Sequence, residues 1–284
     1  MAIIIDGKRI SSEIRAELAE KTLEFKAKYH KAPGLAVIIV GEDPASRVYV
    51  RNKHKACAEV GFYSEVHELP ADATEQQVLD LIDRLNASAD IHGILVQLPL
   101  PGHLDEQKIL LRIKPEKDVD AFHPYNVGKI MIGDYNVLPC TPAGVMQLLA
   151  RSGVSASGKH CVVIGRSNIV GKPMAMLLLH DNGTVTVCHS RTPDLKAQTL
   201  QADILVSAVG RAGFVTADMV KPGAVVIDVG INRNAEGKLC GDVDFGPVSE
   251  VASMITPVPG GVGPMTITML LQNTLTAATA ALSK

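Results

Sequence analysis

The order of apolar and polar positions along the chain predicts helices that alternate with short strands. Apolar side chains at Ile10, Ile14, Leu18 and Phe25 recur at the spacing of one helix face over residues 9–29. Further helices are predicted for 45–60, for 74–86, which a Thr74–Gln77 capping box opens, and from Thr141-Pro142 onward.

Short apolar runs bounded by glycine or turn residues predict buried strands of parallel sheets. The predicted strands are 35–40, 63–69, 93–97, 161–165, 184–188, 204–210, 225–230 and 254–256. Strands that alternate with helices indicate doubly wound sheets. The pattern becomes irregular over 114–133, which suits a connector or a cleft wall. We therefore predict an α/β fold of two domains with a cleft between them: 1–138, which a C-terminal helix 266–284 rejoins, and 139–265.

Composition narrows the class of protein. The 284 residues are 46% hydrophobic but only 4% aromatic, which favours the aliphatic cores of α/β proteins. The formal net charge of -2 lacks the basic excess of a nucleic-acid-binding protein. Five cysteines without CxxC spacing indicate reduced, cytoplasmic thiols, and nine histidines show no metal-ligand spacing. The first residues do not read as a signal peptide, and threonines throughout 265–283 favour a buried helix over a membrane span.

A glycine turn joins the predicted strand 161–165 to the helix that follows it. Gly165 permits a tight turn, and Gly171 lets the helix start approach a diphosphate, where free N–H groups and the helix dipole favour an anion. Arg166 and Ser167 lie within the turn. Because the spacing is not GxGxxG, an ordinary strand-to-helix turn is the alternative to a Rossmann-like dinucleotide-binding domain.

The end of the next strand distinguishes NADP from NAD. An NAD site has an acidic residue there, which binds the ribose 2′-hydroxyl. This chain has Ser190 and Arg191 instead, and a hydroxyl with a guanidinium suits a 2′-phosphate. Arg166 adds a second positive charge. NADP is therefore the predicted cofactor, with a solvated loop arginine as the alternative for Arg191.

Lys53 occupies an unusual position for a lysine on its predicted helix. At about 100° per residue it falls among Tyr49, Val50 and Cys57, whereas Lys55 falls on the opposite side. A lysine on an apolar face is costly unless it is paired or used, and a side chain whose tip reaches water is the alternative. An amine shielded from water loses its proton more readily, which suits a proton-transfer group.

Gln97, at the carboxyl end of the predicted strand 93–97, is placed to be the neutral hydrogen-bond partner of Lys53. A strand-end polar residue without such a role is the alternative. Tyr49 and Lys53 also match the YxxxK pair of short-chain dehydrogenases. In those enzymes the glycine loop precedes the pair, whereas here it follows over a hundred residues later, so we set that match aside.

Six motifs in a fixed order identify a family. They are VGEDPASRVYVRNK at 40–53, GILVQLPLP at 93–101, KDVD at 117–120, PCTP at 139–142, GRSNIVG at 165–171 and PVPGGVGPMT at 257–266. With them the chain resembles the bifunctional methylenetetrahydrofolate dehydrogenase/methenyltetrahydrofolate cyclohydrolase family over essentially its whole length. Ala121 departs from that family, which usually has glycine after Asp120, and this departure bears on substrate affinity.

The resemblance implies an NADP-dependent oxidation of methylenetetrahydrofolate followed by hydrolysis of the methenyl product. Lys53 would be the central catalytic group, Gln97 would tune it, Tyr49 would lie against the folate and Asp120 would bind the pterin. An independent argument supports Asp120, because the 2-amino-4-oxo edge of a pterin presents two adjacent N–H donors that a carboxylate accepts as a fork. Without the family, Asp118 and Asp120 would both pass as solvated loop acids.

The resemblance also implies further contacts to the substrate and the cofactor, and the cellular location and oligomeric state of the protein. Pro259, Gly260 and Gly261 would let the backbone approach the substrate and the nicotinamide closely, and Ile231 would lie at the nicotinamide end of the cofactor. The expected protein is a cytoplasmic homodimer of one-carbon metabolism, without a metal and without a nucleic-acid or membrane partner. Three alternatives remain: a dehydrogenase without the hydrolytic step, a dinucleotide-sensing regulator without turnover, and an amino-acid dehydrogenase-like enzyme.

Overall fold

The computed structural model describes residues 1–283, without the Ala45 side chain. The chain divides into two compact units. The six-stranded unit comprises Met1–Ser12 and Thr141–Thr266, and the three-stranded unit comprises Glu13–Cys140 and the chain from Ile267 onward. Each unit contains a parallel sheet with helices, so the predicted α/β class is confirmed.

The bounds of the elements are as follows. The helices are α1 Gly7–Tyr29, α2 Pro44–Glu59, α3 Glu75–Ala87, α4 Glu106–Arg112, α5 Pro124–Ile132, α6 Cys140–Arg151, α7 Gly171–His180, α8 Leu195–Thr199, α9 Phe245–Val251 and α10 Val262–Leu282. The strands are β1 Ile3–Ile4, β2 Gly34–Val40, β3 Tyr63–Leu69, β4 Gly93–Val96, β5 His160–Ile164, β6 Thr184–Cys188, β7 Ile204–Ser207, β8 Val225–Asp228, β9 Asn232–Arg233, β10 Leu239–Cys240 and β11 Met254–Ile255. A 3₁₀ helix covers Ala217–Met219.

The three-stranded unit has the strand order β3-β2-β4, with both pairs parallel. Every residue of the central strand β2 is buried, as its continuous apolar run predicts. The capping box of Thr74 and Gln77 opens α3 as predicted. At the edge strand β4, the backbone N–H of Ile94 donates to the carbonyl oxygen of Lys117 at 2.8 Å. This bond attaches the loop that contains Lys117 to the edge of the sheet.

The six-stranded unit has the strand order β1-β11-β8-β7-β5-β6, and all pairs are parallel. Counted from β5, five of these strands follow the doubly wound order 2-1-3-4-5. The order of such a sheet reverses between its first and third strands, here β5 and β7. Ligands bind at the carboxyl ends of the strands at that point.

The N-terminal strand β1 is the edge strand of this six-stranded sheet. Residues 1–12 therefore belong to the six-stranded unit, whereas the sequence pattern groups them with the rest of 1–138. The two residues of β1 are both exposed, so no apolar run or alternation marks them as a strand.

The interval 114–133 is not irregular throughout, because it contains α5. The His123 side chain accepts a hydrogen bond from the Tyr125 N–H at the start of α5, and Gly133 ends the helix with a φ of 79°. Met131 and Ile132 on this helix are 64% and 75% exposed whereas Ile130 is buried, so only part of the apolar surface of α5 faces the core.

The helix α6 and the C-terminal helix both begin earlier than predicted. α6 begins at Cys140, and the hydroxyl of Thr141 lies 3.2 Å from that of Thr266. The C-terminal helix begins at Val262, four residues before the predicted start, and Lys284 lies outside the described residues. From Met1 to Ser283, no helix has the length and apolarity needed to span a bilayer.

Candidate active site

Lys53 and Gln97 form a hydrogen-bonded pair in the three-stranded unit. The Nζ of Lys53 donates to Oε1 of Gln97 at 2.9 Å. Gln97 follows β4 directly, and its Nε2 donates to the carbonyl oxygen of Leu98 at 2.8 Å. Because this second bond engages the amide nitrogen, the amide oxygen is the atom that faces the lysine.

Lys53 lies within the inward stripe of α2. Val50, Ala56 and Cys57 of that stripe are buried, and the longer Lys53 side chain is half-buried. Tyr49, one turn earlier, is 44% exposed, so its ring is open to a ligand. The helix thus anchors the stem of Lys53 in the core and presents the amine to Gln97.

The loop after Lys117 carries two aspartates with different surroundings. Asp118 is buried, and its Oδ2 accepts hydrogen bonds from the His123 N–H at 2.8 Å and from the Asn126 Nδ2 at 2.9 Å. Asp120 is half-buried, and the one hydrogen-bond contact to its carboxylate among the described residues comes from the Cys140 Sγ at 3.9 Å. Asp120 therefore keeps acceptor capacity for a ligand, whereas Asp118 uses its own within the loop.

Burial raises the pKa of Asp120 to about 6. The positive charge of Lys53 acts in the opposite direction, and the negative charge of Asp118 raises the pKa further. The structure thus brings Lys53, Gln97 and Asp120 into one electrostatic neighbourhood.

Ala121 follows Asp120 with a left-handed backbone, at a φ of 57°, and is fully buried. Glycine adopts this conformation without the steric cost that a Cβ brings. The conformation gives a physical reason why glycine suits the position that Ala121 occupies.

Asn273 of α10 supports the same loop and was not predicted as a site residue. Its Nδ2 donates to the carbonyl oxygens of Val119 at 2.8 Å and Leu138 at 2.7 Å. The backbone just before Asp120 is therefore fixed by the C-terminal helix. An asparagine within a long helix that has no charged residue is the sequence signal that could have found it.

The predicted glycine turn lies at the switch point of the six-stranded sheet. Gly165 has a φ of 129°, and a Cβ there would lie 2.5 Å from the carbonyl oxygen of Ala208, which follows β7. A Cβ on Gly171 would overlap the backbone carbonyl of Gly165. Both glycines are therefore required by the close approach of backbone to backbone.

The helix start of α7 differs from the prediction of free N–H groups. The Ser167 hydroxyl accepts hydrogen bonds from the N–H groups of Val170 at 3.1 Å and Gly171 at 3.3 Å. The N–H of Lys172 donates to the carbonyl oxygen of Ser167 at 3.1 Å. Because Ser167 occupies these N–H groups, they are not free to bind an anion. Positive side chains must therefore supply more of the attraction for a diphosphate than the predicted free N–H groups would have required.

Two arginines supply that charge beside the turn. Arg166 follows β5 and Arg191 follows β6, and these strands are paired with Ile164 opposite Cys188. Arg166, Ser190 and Arg191 are all exposed. Neither arginine has an ion-pair partner in the part of the chain that the structure describes, so both guanidinium groups are available to a phosphate. These residues fit a 2′-phosphorylated dinucleotide.

The predicted backbone approach at 259–261 lies in the six-stranded unit with the glycine turn. Gly260 has a φ of 107°, and its carbonyl oxygen accepts a hydrogen bond from the Lys8 N–H at 3.1 Å. Pro259 is exposed, and a Cβ on Gly261 would lie 2.8 Å from the Cβ of Thr256. Ile231 is 52% exposed.

The predicted site residues thus separate by unit. Tyr49, Lys53, Gln97 and Asp120 belong to the three-stranded unit, and all the other predicted residues belong to the six-stranded unit. Within residues 1–283, no group of three or more His, Cys, Asp or Glu side chains could hold a metal ion.

Comparison with known proteins agrees with this division. Residues 5–120 match the catalytic domain of the tetrahydrofolate dehydrogenase/cyclohydrolase family, and residues 139–282 match its NAD(P)-binding domain. The bifunctional protein FolD of Moorella thermoacetica is 61% identical over 277 residues, which cover 98% of this chain and 99% of that protein.

Two solved structures are similar over the whole chain. The bifunctional FolD methylenetetrahydrofolate dehydrogenase/cyclohydrolase of Campylobacter jejuni is 50% identical with a TM-score of 0.97, covering 99% of this chain and 100% of that one. The Trypanosoma brucei N5,N10-methylenetetrahydrofolate dehydrogenase-cyclohydrolase, complexed with NADP cofactor and an inhibitor, is 44% identical with a TM-score of 0.95, covering 100% of this chain and 99% of that one. The chain belongs to the tetrahydrofolate dehydrogenase/cyclohydrolase family.

Proposed function

We propose that the protein is a bifunctional enzyme that oxidises 5,10-methylenetetrahydrofolate with NADP and hydrolyses the 5,10-methenyltetrahydrofolate to 10-formyltetrahydrofolate. The observation that carries this proposal is the Lys53–Gln97 hydrogen bond of 2.9 Å beside the Asp120 carboxylate. Family membership supports both activities, and the NADP bound to the Trypanosoma brucei relative supports the cofactor.

Asp120 would bind the folate through its pterin ring. The two adjacent N–H donors of the 2-amino-4-oxo edge match the two oxygens of a carboxylate that no backbone N–H of the described residues occupies. The exposed ring of Tyr49 would pack against the folate. Pro259, Gly260 and Gly261 would contribute backbone close to the substrate.

NADP, when bound, accepts a hydride at its nicotinamide ring from the methylene carbon of the substrate. Gly165, Ser167 and Gly171 would shape the turn that receives the diphosphate. The residues that would complete the cofactor site are Arg166, Ser190 and Arg191 for the 2′-phosphate and Ile231 for the nicotinamide end. The two exposed guanidinium groups and the absence of an acidic residue at 188–193 favour NADP over NAD.

Lys53 would transfer protons in the hydrolytic step. Water adds to the carbon that bridges N5 and N10, and Lys53 in its unprotonated form takes a proton from that water. The bond from the carbon to N5 then breaks, N5 takes the proton from the lysine, and the hydroxyl proton leaves to solvent as the formyl group forms on N10. Gln97 holds the amine in place throughout, since its oxygen accepts an N–H from either protonation state.

The setting of the enzyme follows from the same proposal. We place it in the one-carbon metabolism of the cytoplasm, where 10-formyltetrahydrofolate supplies formyl groups for purine biosynthesis. We propose a homodimer that has neither a nucleic-acid nor a membrane partner. Sedimentation of the purified protein tests the dimer, since a single species of monomer mass would contradict it.

Replacement of Lys53 by methionine tests the proposal. Lys55 lies two residues further along α2 and is exposed, so Lys55→Met is the matched control. We expect Lys53→Met to slow the decay of methenyltetrahydrofolate by at least about 10²-fold, the usual contribution of a positioned acid–base group. Lys55→Met should keep the wild-type rate, and both variants should bind NADP as the wild type does.

The same assays separate the alternatives. Reduction of NADP with methylenetetrahydrofolate, but no enzymatic decay of the methenyl compound, would identify a dehydrogenase alone. Binding of NADP without folate-dependent turnover would identify a dinucleotide-sensing regulator. Turnover of amino acids in place of folate would identify the amino-acid dehydrogenase-like enzyme. Parallel assays with NAD and NADP test the cofactor.

A further inference from the structure

A fully buried carboxylate, Asp242, lies behind the carboxyl ends of β7 and β8. It accepts five hydrogen bonds and has no ion-pair partner among residues 1–283. The donors to Oδ2 are Ser207 Oγ at 3.2 Å, Val209 N at 2.7 Å and Gly210 N at 3.3 Å; the donors to Oδ1 are Arg211 N and Asn232 Nδ2, both at 2.9 Å. Dipoles of the chain thus take the place of a positive partner.

Asp228, the last residue of β8, makes a second carboxylate of the same kind. Its Oδ1 accepts from the N–H groups of Gly230 and Asp242, and its Oδ2 accepts from the N–H of Val243, each at 2.9 Å. Because one of these donors is the backbone of Asp242, Asp228 fixes the segment from which the first carboxylate projects.

Two glycines make room for this arrangement. A Cβ on Gly230 would overlap the Asp242 carboxylate, and a Cβ on Gly241 would overlap the Asp228 carboxylate. The Asp242 carboxylate therefore occupies the space beside Gly230, and the Asp228 carboxylate occupies the space beside Gly241. The two short segments interlock, and neither can move without breaking the hydrogen bonds of the other.

The segments held by Asp242 lie at the edge where dinucleotides bind in doubly wound sheets. Ser207 is opposite Ile164 in the pairing of β7 with β5, so the turn 207–211 lies beside the glycine turn. Ala208 lies between Ser207 and Val209, which both donate to Asp242. The carbonyl oxygen of Ala208 packs so closely against Gly165 that a Cβ there would collide with it. Asn232, another donor, is the neighbour of Ile231.

We infer that Asp242 is a positioning residue for the dinucleotide: it holds the turn 207–211 against the glycine turn and holds the 230–232 segment, without itself contacting the cofactor. This inference rests on the proposed function, because it takes the bound molecule to be NADP. Loss of the carboxylate leaves the backbone N–H groups of 209–211 without acceptors, and the turn then samples conformations that do not receive the dinucleotide.

Three variants test the role. Asp242→Asn keeps the size of the side chain but points an NH₂ at N–H donors. Asn232→Ala removes one of the five donors and leaves the carboxylate in place. Asp244→Asn is the matched control, since Asp244 is exposed two residues away and its side chain makes no cap hydrogen bond to α9.

The dissociation constant of NADPH is measured by fluorescence titration, and the nucleotide-free hydrolysis of methenyltetrahydrofolate is measured in parallel. We expect the dissociation constant to rise about tenfold in Asp242→Asn and about threefold in Asn232→Ala, and to stay within about twofold in Asp244→Asn. The hydrolysis rate should stay within about twofold of wild type in all three, because Lys53 belongs to the other unit. Hydrogen exchange at the amides of 209–211 should accelerate in Asp242→Asn in the absence of nucleotide.

Unchanged NADPH binding in both Asp242→Asn and Asn232→Ala would overturn the inference. An equal loss of binding and hydrolysis, in proportion to the fraction of folded protein, would overturn it too by assigning a purely structural role. If Asp242→Asn does not fold, Asn232→Ala decides alone. A wild-type protein that binds NADPH but does not turn over folate would refute the proposed function, and the titration would still decide the role of Asp242.

Discussion

Asp120 should make folate turnover depend on pH in a specific way. Burial raises the pKa of this carboxyl to about 6, well above its usual range. The ionised form is the one that accepts two N–H donors, so substrate capture requires a pH above that pKa. We therefore expect kcat/KM, which reports the free enzyme, to fall as the pH falls through about 6.

The size of the effect follows from the pKa. A group with a pKa of about 6 is about 91% ionised at pH 7 and about 9% ionised at pH 5, so kcat/KM should change about tenfold across that interval. Asp120→Asn cannot ionise, and its NH₂ opposes one of the two pterin donors. We expect this variant to lose about 10²-fold in kcat/KM and to lose the inflection near pH 6.

The assay must exclude a second carboxyl with the same titration range. Burial also raises the pKa of Asp228 to about 6, and that residue lies at the dinucleotide edge of the six-stranded sheet. Hydrolysis of methenyltetrahydrofolate without nucleotide, corrected for the uncatalysed rate, avoids that contribution. A wild-type profile that is flat between about pH 5 and 7, or an inflection that persists in Asp120→Asn, would refute the reasoning.

Two predictions concern stability. Glycine at position 121 would remove the strain of a left-handed alanine, about 1–2 kcal/mol, and this gain exceeds the cost of the added entropy of glycine in the unfolded chain, about 0.4–1 kcal/mol. In urea unfolding, the free energy of unfolding should therefore be equal to or slightly above wild type in Ala121→Gly and well below it in Ala121→Val. The reverse order would contradict the left-handed backbone. At Asp228 the folded-state pKa is raised above the unfolded one, so the group contributes stability that is present at low pH and lost as pH rises through about 6. The stability of wild type relative to Asp228→Asn should thus increase by about 1 kcal/mol from pH 7 to pH 5, and a gap independent of pH would exclude the raised pKa.

Elements with a periodic apolar face could be predicted from the sequence. The strands β3 and β6 have the predicted bounds, and Lys53 lies within the predicted inward stripe of α2. Its bond to Gln97 could be anticipated because the carboxyl end of a parallel strand is where such a partner is placed. In contrast, β1, β9 and β10 have two residues each, too few for any period to show.

Contacts that depend on tertiary packing could not be predicted. The donors to Asp242 come from residues 207–211 and from Asn232, and nothing in local sequence links these segments. The support of the Val119 carbonyl by Asn273 spans most of the chain in the same way. Likewise the left-handed Ala121 became interpretable only when its φ was known, although its departure from the family glycine was visible.

The number of hydrogen bonds that each aspartate accepts from its own chain separates Asp120 from the other three aspartates of this comparison. Asp118, Asp228 and Asp242 all receive donors from their own chain, two, three and five in number. Asp120, which is half-buried, receives only a long contact from a thiol within the described residues. The Asp120 carboxylate therefore has unused acceptor capacity, and a pterin edge supplies two donors that match it. This difference supports the proposal that Asp120, and not Asp118, binds the folate, which the spacing of the two residues in the sequence does not address.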